Sequence, residues 1–76
     1  MSSELRRIKK RFGETVRALR LKDGLSQMVL AEKADLTLNY VGEVERGEKL
    51  ASIETVVRLA KALGLTGAQL MADAGL

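Results

Sequence analysis

The side chains that could do covalent chemistry are nearly absent from this sequence. It holds no His and no Cys, and neither a nucleotide-binding glycine loop nor a metal-ligand spacing takes their place. Ser26, Ser52 and the scattered acids stand where helix caps and solvated charges belong. No catalytic residue, metal or cofactor is assigned, and an enzyme is not expected. Charge is the more informative chemistry. Residues 1–22 carry eight Lys/Arg against two acids, whereas residues 23–76 carry five against eight. The block Arg6, Arg7, Lys9, Lys10, Arg11 supplies a local positive field suited to a phosphate backbone or an anionic membrane, or it is a solvated helix face.

The second stretch of interest is residues 26–47, SQMVLAEKADLTLNYVGEVERG. It reads as two short amphipathic helices joined by a tight turn, with Ser26 opening the first, Thr37 opening the second and Gly47 ending it. That is a helix-turn-helix pattern. The remaining residues must hold the pair and aim it.

Seventy-six residues make one domain, 1–76, with residues 1–7 as a basic N-terminal extension. A domain of this size buries only about 60% of its unfolded surface. Without disulfides or zinc, its stability must come from the core or from an oligomer, so a dimer is expected. With no Pro, one Phe and one Tyr, and abundant Leu, Ala, Val, Glu, Lys and Arg, the composition predicts an all-α chain. No apolar run approaches the roughly 20 residues of a membrane span, and no apolar segment follows the N-terminal charges as in a signal peptide. The expectation is a soluble cytoplasmic protein.

The positioning elements follow from periodicity and caps. Ile8, Phe12, Val16 and Leu19 form one stripe of a first helix that starts near Ser2 or Ser3 and ends near Lys22, before Asp23-Gly24. Ser26 caps a second helix over about 26–34 with Leu30, Ala31 and Ala34 inward, leaving Met28 and Val29 outside. Asp35 and Leu36 make the turn. Thr37 caps a third helix over 37–46 with Val41 and Val44 inward and Asn39, Tyr40, Gly42, Glu43 and Arg46 outward or at the edge. After a loop over 48–51, Ser52 caps a fourth helix whose inner stripe is Ile53, Val56, Leu59, Ala60 and Leu63, with Val57 just off it. Thr66-Gly67-Ala68-Gln69 matches the capping box of a fifth helix carrying Leu70, Met71 and Ala74.

Taken together, LR, GLSQ, LAEKA, YVGEVERG and LAKALG resemble, in order and spacing over residues 12–72, the lambda-repressor-like helix-turn-helix domains of bacterial and phage transcriptional regulators, the Xre family. Among small members the chain looks most like the controller proteins of restriction–modification systems, which are homodimers. The resemblance implies a compact five-helix DNA-binding domain, bacterial or phage-encoded and associated with the nucleoid, whose partner is double-stranded DNA.

Carried over residue by residue, the resemblance puts Ser26 and Gln27 at a helix start that meets a DNA phosphate, as exposed N–H groups there favour an anion. Thr37, Leu38, Asn39 and Glu43 fall where base edges are read in the major groove. Asn39 can pair with adenine and Glu43 can accept from a cytosine amino group, or pair with Arg46 or Lys49 instead. Leu38 departs from the polar residue common in its slot and offers only apolar contact, for example to a thymine methyl. Tyr40 resembles an aromatic that packs on the domain while its hydroxyl reaches a phosphate, and Arg46 and Lys49 are phosphate clamps. Gly42 replaces a frequent serine, and Asp35 a turn glycine. Arg20 and Glu45 are implied to form a partly buried structural ion pair.

A homodimer on a roughly palindromic operator follows, with Leu65, Leu70, Met71 and Leu76 as interface candidates on or beside the fifth helix. The competing reading is a protein-interaction module of the same fold, such as an antitoxin, using Met28, Val29 and the C-terminal apolar residues.

Overall fold

Four helices open on a hydroxyl. Ser26, Thr37, Ser52 and Thr66 are each held in extended backbone geometry, and each side chain accepts the N–H of the residue three positions on. This satisfies a donor that the helix itself cannot, and fixes where each helix begins. The computed structural model describes residues 3–76. In these residues the elements are α1 (Ser3–Lys22), α2 (Gln27–Ala34), α3 (Leu38–Glu45), α4 (Ile53–Ala62) and α5 (Gly67–Asp73), with no strand among them. Thr66 and Gln69 complete a reciprocal capping box at α5. Residues 3–7, expected in a basic extension, are the first turns of α1; Met1 and Ser2 lie outside the described residues.

The core gathers one face from every helix. Phe12 and Val16 of α1, Leu30, Ala31 and Ala34 of α2, Val41 and Val44 of α3, Leu59 and Ala60 of α4, and Leu70 of α5 are buried, joined by Leu63 and Ala74. Leu30, Leu59 and Leu70 are wholly enclosed, each worth about 1.5–3 kcal/mol of transfer free energy. α1 packs on α3 and α5, α2 on α3 and α4, and α4 on α5. The helix-turn-helix pair therefore lies between two supports, α1 on one side and α4 on the other.

One inward and one outward expectation fail. Ile53 is 86% exposed; as the first residue of α4 it projects past the end of the core, and Thr55 is buried in its stead. Gly42 is buried rather than outward, because the guanidinium of Arg46, one turn on, folds over it.

Another glycine explains how closely α1 approaches α3. Gly13 is buried, and any Cβ built on it collides with the backbone carbonyl oxygens of Val44 and Glu45. Backbone cannot yield as a flexible side chain can. Gly13→Ala is expected to cost about 3 kcal/mol by overpacking, lowering the melting midpoint by roughly 10 °C or more for a domain of this size. Gly67→Ala is the control, since its nearest neighbours would stand 3.9 Å away. Equal midpoints for the two variants in a thermal melt would refute the close-approach account.

Candidate nucleic-acid interface

The turn between α2 and α3 is closed by its own backbone and braced from outside. Asp35 adopts the left-handed conformation (φ 56°, ψ 47°), which lets its N–H and that of Leu36 return to the carbonyls of Glu32 and Ala31. Arg58 of α4 then donates to the Asp35 carbonyl at 2.9 Å and to its carboxylate at 3.2 Å, while its other nitrogen reaches Glu54. Arg58 belongs to no motif, and nothing in the sequence marks it as the brace of the turn.

At the opposite end of α3, Arg20 donates from Nε to Glu45 Oε2 at 2.6 Å, from Nη2 to Oε1 at 2.9 Å and from Nη1 to the Leu25 carbonyl at 2.9 Å. Gln27 adds a bond from Nε2 to Glu45 Oε1 at 3.0 Å. Both charged residues are buried. The bond to Glu45 raises the pKa of Arg20 above its ordinary value, against the opposing effect of burial. One ion pair thus fastens α1, the loop before α2, the first residue of α2 and the last of α3. Gln27 keeps a second Nε2 hydrogen for an anion outside, so its internal bond and a phosphate contact are compatible.

Those constraints leave one face of α3 open. Thr37, Leu38 and Asn39 are exposed and Glu43 is half-buried, on the first two turns of a helix held at both ends. Tyr40 is half-buried, and its hydroxyl lies 3.2 Å from Thr55 Oγ1, which itself accepts from Ser52 at 3.0 Å. Thr55 can then donate to the phenol oxygen, leaving the phenol proton to be given outward. Thr55 is a support that sequence reading missed, because the inner stripe of Ile53, Val56 and Leu59 left it off the buried face.

Beyond α3 the basic residues are less free than their spacing suggests. Arg46 is paired with Glu48 at 2.8 and 3.2 Å rather than with Glu43, and that hydrogen bond holds the Glu48 carboxyl below its ordinary pKa. Lys49 and Ser26 are exposed. Of the proposed dimer residues, Leu70 must be withdrawn, since it is wholly buried in the monomer core. Leu65 and Met71 are half-buried against that core, and Leu76 is 38% exposed.

The helix-turn-helix domain family matches residues 11–72. The chain is 41% identical over 69 residues to control protein C.SmaI of Serratia marcescens, covering 91% of this chain and 82% of that one. With control protein C.BamHI of Bacillus amyloliquefaciens it shares 40% over 55 residues, covering 71% and 68%. The crystal structure of the restriction-modification controller protein C.AhdI from Aeromonas hydrophila superposes with a TM-score of 0.79 at 40% identity, covering 82% of this chain and 94% of that one. The chain belongs to the helix-turn-helix family of DNA-binding transcriptional regulators.

In this helix-turn-helix regulator the buried pair belongs to folding before it belongs to binding. Glu45→Ala strands the Arg20 guanidinium without a counter-charge in a site it cannot leave, which costs about 3–5 kcal/mol. Gln27→Ala removes only a peripheral bond, costing about 1 kcal/mol. Denaturant titration is expected to rank the two in that order, and an undiminished midpoint for Glu45→Ala would remove the pair from the structural account.

Proposed function

We propose that this regulator binds DNA as a homodimer, with the two copies of α3 in successive major grooves of a roughly palindromic operator, about 34–36 Å apart. Two of its relatives are control proteins, and the same reading makes this chain the controller of a restriction–modification system, working in the cytoplasm at the nucleoid. Thr37, Leu38, Asn39 and Glu43 face base edges. Ser26, Gln27, Tyr40, Arg46 and Lys49 meet phosphates.

The observation that carries the dimer is an apolar surface on the α4–α5 side. Ile53 is 86% exposed, Leu50 56%, Val57 47% and Leu76 38%. Leu50 and Leu76 line one groove with Val56 and Met71, Val57 borders Gly67 at the start of α5, and Ile53 opens α4. Large apolar groups gathered in this way favour burial against a partner. A two-fold contact covers them on both copies at once. Leu65, Met71 and Leu76 therefore keep their proposed role, joined by Leu50, Ile53 and Val57.

A protein partner other than a second copy is the alternative, supported by Met28 and Val29, which stand 56% and 40% exposed on the outer side of α2. Selection from a random DNA pool separates the readings. Enrichment of an inverted repeat supports the dimeric regulator, and no enrichment points to the protein partner. Contact with about six to ten phosphates would lower affinity about 10³–10⁵-fold between 50 and 200 mM salt.

Sedimentation tests the interface directly. Wild type is expected near twice the 8.3 kDa chain mass, and Ile53→Glu is expected to weaken self-association by at least about tenfold while keeping its helix content. A wild-type chain that stays at 8.3 kDa at micromolar concentration would eliminate the dimer.

A further inference from the structure

The basic block near the N-terminus is not one surface once α1 has formed. At 3.6 residues per turn its cations separate. Arg7 turns to Glu4, bonding it at 3.0 Å, and Arg11 crosses to α5, where Nε donates to the Ala74 carbonyl at 3.0 Å. Lys9 lines the groove beside Ile8 and Phe12. Arg6 and Lys10 face a different way, and the same stripe continues along α1 beyond the block itself, to Arg17.

Contacts of the intervening residues fix where that stripe lies. Gly13, on the same edge of α1, packs on the backbone of Val44 and Glu45. Arg20, adjoining it, binds Glu45. Gly47, just past α3, sits against Lys10, with a built Cβ 3.3 Å from Lys10 Cα. Arg6, Lys10 and Arg17 thus follow one edge of α1 over about 16 Å, at 1.5 Å per residue, and that edge passes the C-terminal end of α3. All three are exposed. Three acids nearby are engaged elsewhere: Glu4 with Arg7, Glu45 with Arg20 and Glu48 with Arg46. Glu14, four residues from Lys10 and three from Arg17, also lines the pocket with Arg11 and Asp73 and offsets part of the charge of the stripe.

We propose that Arg6, Lys10 and Arg17 form a second phosphodiester-binding edge, which grips the DNA backbone flanking the bases that α3 reads. It rests on the placement of α3 in the major groove. A helix lodged in a groove about 12 Å wide has a phosphate wall on either side, so an element packed across the end of α3 presents its outer edge to such a wall. Three long cationic side chains on that edge meet phosphate without reading sequence. The position beside α3 favours DNA over an anionic membrane.

The test is the salt dependence of binding to the selected duplex, for wild type and for the triple variant Arg6→Gln, Lys10→Gln, Arg17→Gln. Each lost phosphate contact is expected to flatten the slope of log affinity against log salt by about 0.9, close to three per protomer. Affinity at 50 mM salt is expected to fall at least about tenfold, with the base preference recovered from a random pool unchanged. The charge-preserving variant Arg6→Lys, Arg17→Lys is expected to keep the wild-type slope, which excludes a folding effect. Asn39→Ala is the converse control, altering base preference with the slope intact.

A wild-type slope in the triple variant overturns the proposal, even if DNA binding and the role of α3 stand. Loss of the enriched sequence in wild type overturns both. Binding to phosphatidylserine vesicles that the triple variant loses, with its DNA slope unchanged, reassigns the edge to a membrane and overturns it as well.

Discussion

Arg20 uses all three guanidinium nitrogens, and Glu45 uses both carboxylate oxygens, in a site where neither side chain is exposed by more than a tenth. Around it no buried side-chain nitrogen or oxygen of the described residues lacks a partner. An ion pair so placed gives little net stability, because desolvation offsets most of the attraction. Its value is geometric. A planar fork and a carboxylate accept one relative orientation, and here that orientation sets the end of α3 against α1 and, through Leu25 and Gln27, against the start of α2. An eight-residue helix such as α3 has little stability of its own. Its direction in space is supplied by what holds its ends.

The other supports work by the same logic at lower cost. Gly13 removes a side chain so that α1 can lie against the last carbonyls of α3. Arg58 ties the turn to α4, and the Ser52–Thr55–Tyr40 chain ties the outer part of α3 to the start of α4. α3 is therefore gripped at its turn, along its inner face and at its C-terminus, while the face bearing Leu38, Asn39 and Glu43 is left unpacked. This is the arrangement a reading surface requires: side chains positioned by a fixed backbone, with their own tips uncommitted.

The features legible in the sequence are those governed by near neighbours. Ser26, Thr37, Ser52 and Thr66 mark their helices because a cap bonds only three residues ahead, and Asp35 announces the turn because few residues other than glycine and asparagine enter the left-handed region so readily. Periodicity places Val16, Leu30, Val41 and Leu59 in the core. What was not legible depends on where a stripe stops. Ile53 has the right phase for the core of α4 but lies past its edge, whereas Leu70, of the same apolar type as Leu76, falls within it. Gly42 looked outward by phase, yet a long side chain one turn away covers it. Phase tells which way a residue points, not what waits there.

The acids around α3 bear on discrimination. In the proposed complex Glu43 faces base edges and Glu48 holds Arg46, so a phosphate must displace one carboxylate and tolerate another. Each lowers the attraction for backbone in general, since a carboxylate near phosphates is repelled whatever the sequence. Only a site offering Glu43 a donor, such as a cytosine amino group, recovers part of that loss. Specificity is a difference between affinities, and it widens when the non-specific member is weakened. With basic charge concentrated in residues 1–22 and an acidic balance in the rest, the chain divides the two tasks. In that complex long-range attraction to DNA would come chiefly from α1, while the surface that inspects bases would carry charge that rejects the wrong ones.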